Sequence, residues 1–157
     1  MEDIFSDEDY LLMRLISQTR HLIQKARLKE LAPYKISPRK AATLMTIVAS
    51  GGEVSAYKIA KWFILEPSSI SLLLQRMDKE GLIKRIKTQD NRRSYRLELT
   101  DKGSKVYNEV KSYESFRRAM AVLTKEQRKQ LKSLLTILRD GVLKQLGIGV
   151  KLPFPPF

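Results

Sequence analysis

Residues 68–80 bring together side chains that bond well to base edges and phosphates. At about 100° per residue, Ile70, Leu73, Leu74 and Met77 fall on one side of a helix. Ser68, Leu72, Gln75 and Lys79 gather opposite, with Ser69 and Arg76 on one flank and Ser71 on the other. Such a face suits a helix laid in a major groove. Glutamine can bond an adenine edge with both amide groups, arginine a guanine, serine a phosphate, and an apolar leucine can touch a thymine methyl. The same composition also suits an ordinary solvated helix, so the neighbouring segments must decide between the two.

The next stretch is strongly basic. Between Arg76 and Arg96 stand Arg76, Lys79, Lys84, Arg85, Lys87, Arg92, Arg93 and Arg96 against Asp78, Glu80 and Asp90. Two strand-like runs, 82–87 and 95–99, flank the polar segment Thr88-Gln89-Asp90-Asn91, and Tyr95, Leu97 and Leu99 alternate with Arg96 and Glu98. This is the pattern of a hairpin. Arginines at a hairpin tip can enter a narrow minor groove, where the negative potential is strongest.

Helices must position these two elements. Leu12, Leu15, Ile16, Thr19, Leu22, Ile23 and Ala26 follow the three-and-four spacing of a long helix that ends near Pro33. Ser37-Pro38 reads as an N-cap with proline in the first helical position, opening a mostly core helix through Leu44, Ile47 and Val48 to Gly51-Gly52. Ser55 caps a short helix over 56–63, and Pro67 opens the helix that stops at Gly81, so the pair predicts a helix-turn-helix. Thr100 caps a helix running from Asp101 to about Met120, with Val106, Val110 and Tyr113 on one face. Thr124-Lys125-Glu126-Gln127 has the form of a capping box and opens a last helix with Leu131, Leu134, Leu135, Leu138, Val142 and Leu146 as its stripe. A small central unit cannot cover both terminal amphipathic segments, and a partner subunit is the natural cover. The tail, 147–157, is Pro-rich and apolar, too broken for a helix, and either packs across the dimer or is disordered.

Composition narrows the chemistry. The 157 residues carry 30 Lys and Arg against 17 Asp and Glu, a net charge of +13. Five of the acids lie within the first nine residues, leaving 30 bases against 12 acids in the rest. A body this basic favours a polyanion, because neutralised phosphates release counterions. Without cysteine there is no thiolate metal site, cysteine nucleophile or thiol switch, and the single histidine excludes histidine-rich metal sites. No Gly-rich phosphate loop precedes a helix and no nucleophile stands beside a base, so neither enzyme chemistry nor a cofactor is expected. The longest uncharged run, 41–52, has 12 residues, too few to span a bilayer, and a cytoplasmic protein without membrane contact is expected.

Taken in order, Pro67-Ser68-Ser69-Ile70-Ser71, then Met77-Asp78-Lys79-Glu80-Gly81-Leu82-Ile83-Lys84-Arg85, then Asp90-Asn91-Arg92-Arg93, and finally Leu97-Glu98-Leu99-Thr100-Asp101-Lys102-Gly103 resemble the MarR family of winged helix-turn-helix transcriptional regulators. The likeness spans about residues 10–146. It implies a homodimer joined by its N- and C-terminal helices on a pseudo-palindromic operator, with recognition helices in successive major grooves and wing arginines in flanking minor grooves. The family's wing carries Asp-x-Arg. Anchoring on Leu99-Thr100 puts Asn91 and Arg93 there, whereas matching the aspartate gives Asp90 and Arg92 with one extra residue. Leu72 departs too, standing where a polar or basic residue is common. Many members bind small aromatic or phenolic ligands between the dimerisation helices and the DNA-binding unit; Tyr10, Arg14, His21, Tyr34 and Trp62 are the candidates for lining such a site, although a lone histidine also reads as solvated and aromatics as core.

The expected fold is therefore mainly α (α+β): a winged helix-turn-helix with a two-stranded wing over 37–100, and long dimerisation helices over 10–34 and 101–146. The expected function is a homodimeric, sequence-specific regulator of double-stranded DNA that represses by occluding a promoter, with or without release by a small aromatic effector. Ser68, Ser69, Ser71, Gln75 and Arg76 are the expected base and phosphate contacts, Arg92 and Arg93 the wing, and Lys84, Arg85 and Arg96 the backbone support. A winged-helix protein-docking module and a non-specific architectural DNA binder are the alternatives.

Overall fold

In the computed structural model, residues 6–87 and 95–149 are described. The chain begins with α1 (Glu8–Leu31), whose N-cap Asp7 accepts a hydrogen bond from the Tyr10 amide at 2.9 Å. Glu8 and Asp9 complement the dipole of its first turn. One turn of 3-10 helix, Ala32–Tyr34, leads to α2 (Pro38–Ala49), opened by the Ser37 cap and Pro38 as the sequence predicts. Next come α3 (Ala56–Phe63), with Ser55 as its cap, and α4 (Pro67–Lys79). Strands β1 (Ile83–Lys87) and β2 (Tyr95–Leu99) pair antiparallel, Ile83 opposite Leu99 and Arg85 opposite Leu97.

These elements wrap one core. Leu44 and Ile47 of α2, Ile59 of α3, Ile70 and Met77 of α4, and Ile83 and Leu97 of the hairpin are buried together with Leu31 and Val110. The hairpin is pinned to the end of α2 because the Leu97 amide donates to the Gly52 carbonyl at 3.1 Å. Gly52 has φ of +81°, and a Cβ there would stand 2.6 Å from the Leu97 carbonyl oxygen, so only glycine meets both demands.

The predicted single helix from Asp101 to about Met120 is two helices. α5 (Asp101–Val110) ends early, and α6 (Glu114–Ala121) begins after Tyr113, which has left-handed backbone with φ of 49°. The elbow has a tertiary cause in α1. Arg27, only 2% exposed, donates from Nη2 to the Val110 carbonyl at 2.9 Å and stacks over the Tyr113 ring at 4.6 Å. Glu30 supplies the missing cap of α6, accepting the amides of Glu114 and Ser115 at 3.0 and 3.1 Å and the Ser115 hydroxyl. Periodicity along 101–120 carries no trace of partners more than 80 residues away.

Glu30 makes the elbow sensitive to acid. Burial opposes its ionisation, but the Ser115 hydroxyl, the Arg27 guanidinium and the Ser115 amide outweigh burial and lower its pKa from 4.5 to about 2. A carboxylate lowered on folding contributes stability that is complete above pH 4.5 and lost as the pH falls through about 2. Glu30→Gln is therefore expected to cost about 1–2 kcal/mol at neutral pH. Chemical unfolding at pH 6 and pH 2.5 checks this: the variant should lose less stability between the two than the parent, and equal losses would refute the assignment.

The last helix, α7 (Lys125–Gln145), opens with the predicted capping box, Thr124 and Gln127 each bonding the other's backbone amide. Only Leu143 of its residues is buried, and only Arg27 and Leu31 of α1. The apolar stripes read from the sequence, Leu12, Leu15 and Leu22 on α1 and Leu134, Leu138, Val142 and Leu146 on α7, stand exposed in the single chain. Among the described residues no helix is long and apolar enough to cross a membrane. The predicted tail lies, from residue 150 onward, outside the described residues.

Candidate nucleic-acid interface

The helix-turn-helix is formed by α3 and α4. Its turn places Ile64 in left-handed backbone, φ 53°, while the Leu65 amide returns to the Ala60 carbonyl at 2.9 Å. A β-branched residue in that conformation costs roughly 1–2 kcal/mol, which the burial of Ala60, Ile59 and the inner face of α4 offsets. That inner face is Ile70, Leu74 and Met77, with Leu73 partly buried, as the sequence predicts.

Ser68, Ser69, Leu72, Gln75, Arg76 and Lys79 are exposed and Ser71 is partly covered, so α4 presents a polar, basic outer surface. The hairpin residues divide into different roles. Lys84 is exposed, opposite Glu98 across the ladder. Arg96 has half of its side chain exposed, and its Nε lies 3.4 Å from Glu98 Oε1. Arg85 turns inward: Nη2 donates to the Ser71 carbonyl at 3.3 Å and Nε lies 3.8 Å from Asp78 Oδ2. It clamps β1 to α4, so its guanidinium also positions the recognition helix. Arg92 and Arg93 lie outside the described residues.

The far end of α4 is also fixed. Lys40 Nζ lies 2.6 Å from both carboxylate oxygens of Glu80, and Lys102 Nζ donates to the Glu80 carbonyl at 2.7 Å. Sequence reasoning passed over three exposed residues of α3, Tyr57, Lys58 and Lys61; the Lys61 ammonium sits 4.9 Å above the Tyr57 ring. The four-residue spacing of an aromatic and a lysine was the available signal.

A second feature lies behind the recognition helix. A cleft of about 990 Å³ opens between α1, the start of α2, the turn before α4, α4 itself and the start of α6. Its walls combine Leu28, Phe63, Leu65, Leu73 and Phe116 with Arg20, Arg27, Arg39, Lys40 and Arg76, and Glu80 is the one acid among them. Arg76, expected on the DNA face, thus also reaches the cleft. None of the five residues named for a ligand site lines it. Arg20, Gln24, Arg27 and Leu28 form one face of α1, and Tyr10, Arg14 and His21 point roughly 75° around the helix from it. Tyr34 is exposed, and Trp62 packs against the core. Burial pushes the Tyr113 hydroxyl pKa up, against the opposing charge of Arg27.

Comparison with known proteins agrees with this geometry. Residues 37–103 match a family model described as a winged helix DNA-binding domain. The HTH-type transcriptional regulator PecS of Dickeya dadantii (strain 3937) is 27% identical over 132 residues, covering 82% of this chain and 80% of PecS. The organohalide-sensing RdhR-CbdbA1625 transcriptional regulator, solved with 2,4-dichlorophenol bound, is 27% identical and superposes with a TM-score of 0.81 over 100% of this chain and 94% of that one. A mutant of MarR from E. coli, solved with operator DNA, shares the fold at 18% identity, with a TM-score of 0.77 over 87% of this chain and 99% of that one. Residues 37–103 thus match a winged helix DNA-binding domain, and over most of its length the chain is similar to winged helix-turn-helix transcriptional regulators such as PecS and RdhR-CbdbA1625.

Proposed function

We propose that the protein is a homodimeric repressor that occupies a pseudo-palindromic operator and leaves it when a small aromatic ligand enters the cleft. One observation carries this reading: a polar, basic recognition helix faces outward from a chain whose terminal helices leave their apolar stripes uncovered. A second copy buries those stripes, and the same two-fold axis sets two α4 helices at the spacing of successive major grooves. The dimerisation segments are then 10–34 and 101–146, and the DNA-binding unit 37–100. Ser68, Ser69, Ser71, Gln75 and Arg76 contact bases and phosphates, Lys84 and Arg96 support the backbone, and Arg92 and Arg93 enter the flanking minor grooves. A cleft of about 990 Å³ with aromatic walls has room for a single-ring ligand. RdhR-CbdbA1625 with its bound 2,4-dichlorophenol supports that part of the reading.

The test is a titration of the full chain against a duplex of its own upstream region and a scrambled duplex at two salt concentrations, with mass from light scattering. A dimer that prefers the upstream duplex at the higher salt supports site-specific repression. Equal, steeply salt-dependent binding points to a non-specific architectural protein, and no binding to a docking module. Within specific binding, Gln75→Ala is expected to relax preference at one base position, losing about 1–3 kcal/mol of discrimination. Lys84→Ala should weaken binding to every sequence and reduce the salt slope by about one. Identical binding profiles for both variants and the parent would remove these residues from the interface.

A further inference from the structure

We propose that Leu72 reads the C5-methyl group of a thymine in the major groove and sets a preference for a T·A pair at that position. This rests on α4 being the recognition helix, and it adds a specificity-determining residue and the chemical group it takes. Leu72 is 48% exposed on the outer side of α4, at the centre of a face that is otherwise polar. Its neighbours one turn away in either direction, Ser68, Ser69, Gln75 and Arg76, are all exposed, and all are polar.

A lone exposed leucine is ordinary on most protein surfaces. On this face the choice of partners is restricted. The rotation of α4 is fixed from the opposite side by Ile70, Leu74 and Met77, which are buried, so Leu72 cannot turn into the core without expelling them. The peptide that joins Ser71 to Leu72 is held too: its carbonyl accepts Arg85 Nη2 at 3.3 Å, which ties this turn of α4 to β1. Leu72 therefore enters any groove occupied by α4 from a fixed point on the helix.

Groove chemistry selects the occupant. The major-groove edges of adenine, guanine and cytosine present hydrogen-bond donors and acceptors, and a leucine laid against them strips their water without replacing it. The thymine C5-methyl is the apolar group that the four unmodified bases offer there. Burying one methyl against Leu72 is worth about fourfold in affinity. Gln75 stands three residues further along the same side, a spacing of roughly 5–6 Å between Cβ atoms. Base pairs rise by about 3.4 Å, so the base that Gln75 reads lies within about two base pairs of the thymine.

The experiment is selection of binding sites by the full-length parent from a pool of random-sequence duplexes. The selected duplex is then titrated with each thymine replaced in turn by deoxyuridine, which lacks only the methyl. Replacing one particular thymine of each half-site should weaken parent binding about fourfold. That thymine should lie within about two base pairs of the position at which Gln75→Ala relaxes preference. Leu72→Ala should bind the thymine and deoxyuridine duplexes equally, and Leu72→Arg should select guanine at that position. An effect of deoxyuridine transmitted through duplex shape would survive in Leu72→Ala, so its disappearance identifies a direct contact. Insensitivity of the parent to every replacement, or the same sensitivity in Leu72→Ala, overturns the methyl contact while leaving α4 as the recognition helix. Failure of the pool to enrich any sequence overturns site-specific recognition, and the methyl contact with it.

Discussion

Gly103→Ala is expected to lower the melting temperature by about 10 °C, corresponding to a loss of about 3 kcal/mol for a chain of this size. Glycine in the first turn of α5 reads as a helix weakness, costing roughly 1 kcal/mol relative to alanine in an exposed helix. Here the sign reverses. A Cβ on Gly103 would stand 1.9 Å from the Leu82 carbonyl oxygen and 2.9 Å from its carbon. That carbonyl also accepts the Thr100 amide at 3.2 Å, and the Thr100 hydroxyl bonds the Gly81 carbonyl while capping the Gly103 amide at 3.0 Å. The contact is backbone against backbone, so no flexible side chain can yield, and α5 must move off the root of the hairpin. Because β1 starts at the next residue, Ile83, the wing should also lose its fixed angle to α4. Thermal unfolding monitored by circular dichroism measures the first effect. A midpoint within 1 °C of the parent would show that the approach is looser than described.

On the proposed dimer, Leu134→Glu with Ile137→Glu is expected to leave a monomer at micromolar concentration and to reduce operator affinity at least a hundredfold. In the single chain Leu134 is 66% and Ile137 67% exposed, and Leu22 of α1 is 64% exposed. Each such side chain contributes about 1.5–3 kcal/mol when fully buried, and an unpaired carboxylate at the same position reverses that gain. The loss of DNA affinity has a separate origin. Two half-sites bound by one rigid dimer share a single association cost, and separate monomers each bear it alone. Light scattering and operator titration on the same preparation separate the two effects. A double variant that remains dimeric would show that the stripe has another occupant; one that is monomeric yet binds the operator undiminished would disconnect assembly from recognition.

Most of the helical framework was legible because its signals are local. Ser37-Pro38, Ser55 and Thr124-Lys125-Glu126-Gln127 open helices within three residues of themselves, and the structure finds each cap where the spacing puts it. The division of α4 into a buried and an exposed face follows from a period of 3.6 residues acting on Ile70, Leu74 and Met77. The cleft behind the recognition helix was not legible in this way. Tyr10, Tyr34, Trp62 and the lone histidine were the available markers, but the cleft is walled by cationic side chains, leucines, Phe63 and Phe116 from several helices that only folding brings together.

By itself the sequence determined that the protein is basic, mainly helical, built around a helix-turn-helix with a hairpin, and furnished with amphipathic helices that its own core does not cover. Tertiary structure decided the rest: the elbow at Tyr113, the inward turn of Arg85, the burial of Arg27 and the requirement for Gly103. Each of these depends on contacts between residues distant in the chain, 83 apart for Arg27 and Val110. Helix period and cap chemistry are set by neighbours within about four residues, so they can be read along the chain. A buried charge, a broken helix or a close backbone approach is set by whatever lies across the fold, and only packing reveals it.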